Sequence, residues 1–127
     1  DMPAGLGFSS KIAGCTADIA LIAVTPDPVC VRDGAKMAQT LEKQGLCRHR
    51  LLINRVEEKM LRRAVLTDLD AVIDGVGSQL LGVFPYAEEI PLRLSRGLQL
   101  KGNHPVLRIA QAVSRRLDGE YVPLVFP

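Results

Sequence analysis

Asp1-Met2-Pro3-Ala4-Gly5 is a D-x-P-A-G run. At the end of a core strand in an α/β protein, such an Asp faces Mg²⁺ and an attacking water, and the Gly lets backbone approach a γ-phosphate. Asp1 and Gly5 are therefore the candidate catalytic residues, with Asp1 reaching Mg²⁺ through an intervening water. Such a loop works only opposite a phosphate-cradling P-loop, G-x-x-x-x-G-K-[ST] or a variant, and the 127 residues contain none. The plainer readings are an N-terminal acid beside its own α-amino group and an ordinary turn glycine.

Further groups able to touch a ligand each follow an apolar run: Thr25-Pro26-Asp27, Asn54-Arg55 and Pro85-Tyr86. The Asn54 amide can both donate to and accept from the edge of an adenine ring. A strand-end Asn satisfied by a neighbouring turn is the alternative. Asp27 reads equally well as a helix N-terminal acid, and Arg32 and Asp33 as solvated first-turn charges or as a partner-contact surface. His49 and His104 stand apart from any acid or Cys cluster in sequence, and both are expected as exposed or turn histidines.

The elements that must position these groups read as one α/β unit over residues 1–127. Continuously apolar runs predict buried strands over 19–24, 51–54 and 80–84, as in a parallel sheet covered on both faces. A helix is expected over 31–44, stopped by Gly45. Others are expected over 9–15, over 68–74 with Thr67 as cap and Gly75 and Gly77 at its end, and over 88–94. Residues 57–61 read as a charged loop or short helix. Asn103 is expected to cap the last helix, with Pro105 in its first turn. Leu69, Val72 and Ile73 form one buried stripe, and Leu107, Ala110, Val113 and Leu117 another. The fold class is α/β, a mostly parallel sheet with helices on both faces and right-handed crossovers. In such sheets ligands sit outside the carboxyl ends of the strands.

Composition narrows the class. Apolar residues make up 47% of the chain, yet no run approaches the roughly 20 residues that span a bilayer, and no signal-peptide pattern is present. A net charge of +2 is too small to argue for nucleic acid, and no aromatic residues interleave Arg62-Arg63 or Arg115-Arg116, which read as solvated faces. Cys15, Cys30 and Cys47 are odd in number, lack C-x-x-C spacing and read as reduced cytosolic thiols.

Taken in order, the motifs resemble the C-terminal half of MinD/ParA-type (deviant Walker A) ATPases, nearest to the septum-site branch of that family. The matching text is Asp1 to Gly5, Ala17-Asp18, Thr25-Pro26, Val31-Arg32-Asp33 and Leu41-Glu42-Lys43. It continues through Ile53-Asn54-Arg55, Leu81-Gly82-Val83 with Pro85, Ser95-Arg96-Gly97 and residues 115–124. The resemblance implies a P-loop NTPase-like fold and an ATP- and Mg²⁺-dependent dimerisation switch that places the cell-division machinery. It implies that Asn54 reads the adenine base, that Arg55 flanks it, and that Pro85 and Tyr86 close the base pocket. Thr25 and Asp27 would lie near the dimer face, and Arg32 and Asp33 on a face for a cell-division regulator.

This sequence departs from the family at four places. The deviant Walker A loop with its signature lysine is not among the 127 residues, so the expectation is a domain whose phosphate-loop half is absent. Ala35 replaces the second acid after Val31-Arg32-Asp33, and Tyr86 replaces an acidic or small residue. The basic amphipathic helix with which septum-site relatives dock on anionic lipid is also not seen, and membrane binding by these residues is not expected. Intact relatives are peripheral at the inner membrane face; this chain is expected to be cytoplasmic. It is expected to pair as a homodimer or with the missing N-terminal half, and to be inactive as an ATPase on its own. The alternative function is a non-catalytic interaction module of the same fold. A dinucleotide-binding domain is a third, disfavoured by the lack of a G-x-G-x-x-G run.

Overall fold

The computed structural model describes Met2 and residues 16–57 and 66–124. Asp1, Gly5, Cys15, Arg62, Arg63, the expected helix over 9–15 and most of the segment 57–61 lie outside the described residues. The elements, in chain order, are β1 (Ala20–Val24), α1 (Pro28–Lys43), β2 (His49–Val56), α2 (Leu66–Val76), β3 (Gln79–Pro85), α3 (Glu89–Ser95) and α4 (Pro105–Leu117).

The three strands form one sheet in the order β1-β2-β3, and both pairings are parallel, as the apolar runs predict. Ile22 and Val24 of β1 join Leu51, Ile53 and Val56 of β2 and Val83 of β3 in the core. Helices α1 and α2 close that face with Ala38, Leu41, Leu69, Val72 and Val76. The opposite face takes α4, which packs on β3: a Cβ built on Gly82 would come within 2.6 Å of Val113 Cγ2 and 3.5 Å of Leu52 Cδ2. Helices thus lie on both faces. On the face shared with α4, however, β1 presents Leu21 and Ala23 to solvent. Burial in β1 therefore alternates, where the sequence predicts a strand covered on both sides.

Local chemistry explains the boundaries of α1. Asp27 precedes it in an extended conformation and accepts the Cys30 N–H at 2.9 Å, with Pro28 in the first turn. The helix therefore begins three residues earlier than expected, and Arg32 and Asp33 fall in its second turn. Its end is a Schellman turn: Gly45 takes φ +89, its N–H bonds Glu42 O, and the Leu46 N–H bonds Leu41 O at 2.9 Å. Leu41 and Leu46 are both buried there.

Several expectations are corrected. Helix α2 extends beyond 68–74 at both ends, so Thr67 lies inside it rather than ahead of it. Gly75 lies within α2 against Val31, and only Gly77 ends the helix. His104, not Asn103, caps α4, because its imidazole Nδ1 accepts the Val106 N–H at 3.2 Å. Only Val113 of the expected α4 stripe is buried, and Ala110 and Leu117 are exposed. The inward side is shifted to Ile109, Ala112, Val113 and Arg116. Arg116 turns inward because carbonyls await it: its guanidinium donates to Leu81 O at 2.8 Å, Val122 O at 2.8 Å and Pro123 O at 2.6 Å. It is a tie for the segment after α4, not a solvated charge. Arg115 remains at the surface, paired with Glu120 at 2.6 Å.

Candidate functional site

The parallel sheet brings three polar groups to one edge. Thr25, Pro26 and Asp27 follow β1, Asn54 and Arg55 lie near the end of β2, and Pro85 and Tyr86 close β3. Within β2 the register slips: Ile53 pairs with Val83 but Val56 pairs with Pro85. Three steps on β2 thus face two on β3, a one-residue bulge. Arg55 occupies it with φ 57, a left-handed conformation uncommon for a side chain of this size. The bulge exposes both Asn54 and Arg55, while Ile53 and Val56 on either side are fully buried. An uninterrupted strand would have sent one of the pair into the core.

Arg55 then meets Tyr86. The guanidinium carbon lies 5.5 Å from the Tyr86 ring centroid, within cation–π range, and the Tyr86 N–H donates to Val56 O at 2.9 Å. A surface concavity of about 320 Å³ beside them is lined by Thr25, Pro26, Asp27, Arg55 and Glu57. Asp27 is tied down in two ways. The Thr25 hydroxyl donates to one carboxylate oxygen and the Cys30 N–H to the other. These two bonds, the hydroxyl first, hold its carboxyl below the usual value of 3.8.

Asn54 partly follows the plainer alternative, since its Oδ1 accepts the neighbouring Arg55 N–H at 2.9 Å. Its side-chain NH₂ keeps its donors. Arg32 and Asp33 are exposed on α1, 3.8 Å apart, with Lys36 4.0 Å from Asp33. They stand on a helix surface rather than in the strand-end cluster. Cys30 and Cys47 are free thiols. No group of three His, Cys, Asp or Glu side chains gathers as a metal site among the described residues, nor is any described helix long and apolar enough to cross a membrane.

His49 differs from expectation, whereas His104 closes the turn from Lys101 as a turn histidine. His49 is 7% exposed; its Nε2 lies 2.9 Å from Glu42 and its Nδ1 2.8 Å from Ser78. His104 pairs with Glu89 at 2.6 Å. Parallel pairing of the starts of β2 and β3 brings Ser78 to His49, Glu42 reaches His49 across the turn after α1, and Glu89 meets His104 between α3 and the start of α4. No local sequence signal marks either pairing. Thr25 comes beside Arg55 through the parallel pairing of β1 and β2.

An amide, a cation and a half-exposed aromatic ring at the carboxyl edge form a donor set suited to a purine base, which offers hydrogen-bonding edges and a π-face. The layered parallel sheet is an α/β fold, and the solved MinD structures on which it superposes make it P-loop NTPase-like. The comparisons are specific within that class. The septum site-determining protein MinD of Synechocystis is 26% identical over 98% of this chain and 48% of its own length. The MinD cell division protein of Aquifex aeolicus superposes with a TM-score of 0.86 at 27% identity, over 98% of this chain and 53% of that one. The MinC:MinD cell division protein complex of Aquifex aeolicus gives a TM-score of 0.85 at 26% identity, over 96% of this chain and 51% of that one. No family model matches the chain. The homologues of this chain are thus MinD septum site-determining proteins. The chain spans about half the length of the curated relatives it matches, a coverage that fits their C-terminal half.

Proposed function

We propose that the chain carries the base-binding side of a MinD-like ATP switch that takes part in placing the division site. The observation that carries this reading is the meeting of Arg55 and Tyr86 at the carboxyl edge of a parallel sheet, beside an exposed Asn54. In this reading Asn54 hydrogen-bonds the adenine edge, Arg55 and Tyr86 flank the ring, and Pro85 sets the turn that presents Tyr86. When bound, ATP with Mg²⁺ supplies the γ-phosphoryl group whose hydrolysis resets the switch. Asp1 would orient the attacking water and Gly5 would donate a backbone N–H to the γ-phosphate.

Thr25 and Asp27 would line a dimer face shared with a second copy or with the other half of the fold. The Aquifex aeolicus complex, which pairs MinC with MinD, supports a cell-division regulator as a partner, and the exposed Arg32 and Asp33 of α1 are its proposed contact. The location is the cytoplasm. Phosphoryl transfer needs positive charge and N–H donors around the phosphates, of which the chain supplies at most Gly5. Phosphate release tests this. The 127-residue chain should turn over no ATP, a form extended by the preceding half of the family domain should hydrolyse it, and Asp1→Ala in that form should abolish turnover. Hydrolysis by the 127-residue chain would overturn the proposal, and a fully active extended Asp1→Ala form would remove Asp1 from the mechanism.

A further inference from the structure

Helix α3 has no buried residue, and yet it follows Tyr86 after only Ala87 and Glu88. An element without buried apolar contacts belongs to the least stable part of a fold, so whatever fixes α3 also fixes the segment beside the Tyr86 ring. The structure offers one strong tether. His104 Nε2 lies 2.6 Å from Glu89 Oε1 in the first turn of α3, with the imidazole side chain only 11% exposed.

The other face of the ring fixes its chemistry. Nδ1 accepts the Val106 N–H at 3.2 Å, so Nδ1 bears no proton and the imidazole N–H must be at Nε2, where it donates to the carboxylate. One ring therefore makes two different bonds, each requiring the same tautomer. The His104 N–H donates to Lys101 O at 2.9 Å, and the residue heads a 13-residue helix packed on β3. The anchor is firm where α3 is not.

We propose that His104 is a positioning residue: through Glu89 it fixes the segment 87–95 and thereby holds Tyr86 in place against Arg55. The claim about the base rests on the function proposed above; the claim about the tether does not. His104→Asn separates the two bonds, because Asn caps helices well but is too short to replace Nε2 at Glu89.

The test is amide hydrogen exchange on the 127-residue chain and its His104→Asn and Glu89→Ala variants, with ATP and Mg²⁺ titrated into each. Exchange over residues 88–98 should quicken about tenfold in both variants, the scale of one hydrogen bond to a charged group. Exchange in the α4 interior and the global unfolding midpoint of His104→Asn should stay unchanged. ATP affinity should fall several-fold in both. Unchanged exchange over 88–98 overturns the tether, as does a ring proton found on Nδ1 by nitrogen NMR. Faster exchange with unaltered ATP affinity overturns the positioning of Tyr86. If ATP shifts no amide at Asn54 or Tyr86 even in the parent chain, the base-site reading fails and the positioning role with it, while faster exchange would still establish the tether.

Discussion

Asp27 shows how much one side chain decides at this edge. It caps α1, takes the Thr25 hydroxyl and lines the concavity beside Arg55. Its carboxyl is held below the usual 3.8, first by the Thr25 hydroxyl and then by the Cys30 N–H. The sign follows from linkage. The folded-state value is depressed, so the stabilisation is fully present above the ordinary carboxylate range and is lost as pH falls through the folded value. Asp27→Asn keeps an acceptor for the cap but cannot titrate. Its melting temperature should therefore fall less steeply on acidification than that of the parent. An equally steep acid limit would show that Asp27 contributes nothing to it.

At the scale of elements, the strands and their parallel order were legible because continuous apolar runs ending in turn residues admit few other arrangements. Helix α1 was legible at its Gly45 end but not at its start, where Pro28 and the Asp27 cap outweighed the onset of apolar periodicity. Contacts made only by the tertiary fold were not legible. Ser78 is remote from His49 in sequence, and parallel pairing alone brings them together. Arg116 reads as a surface charge until the carbonyls of Leu81, Val122 and Pro123 converge on it. The candidate site was legible as residue types at strand ends; the bulge that exposes Asn54 and Arg55 together was not. Packing between elements gives its own prediction. A methyl group at residue 82 would meet Val113 Cγ2 at 2.6 Å, and a valine side chain has little rotamer freedom with which to yield. Gly82→Ala should cost about 1–3 kcal/mol in urea unfolding, with part of the loss recovered by adding Val113→Ala. A variant as stable as the parent would mean that α4 is free to shift on β3.

At the scale of the molecule, the sheet has an open side. β1 is an edge strand among the described residues, and its Leu21 is 43% exposed on the face shared with α4. Exposed edges and apolar faces recruit further chain. The 127-residue chain should therefore associate as concentration rises, and Leu21→Lys should suppress it. Light scattering that stays monomeric at high concentration would argue against this. In the proposed function, the carboxyl edge of this sheet receives a nucleotide base. An NMR titration of the chain with ATP and Mg²⁺, following every backbone amide, tests it most directly. Weak, saturable shifts confined to Thr25, Asp27 and residues 54–55 and 86–88 are expected, with their loss in Asn54→Ala. Shifts centred instead on His49 and Ser78 at the amino edge, or none at saturating ATP, would contradict it.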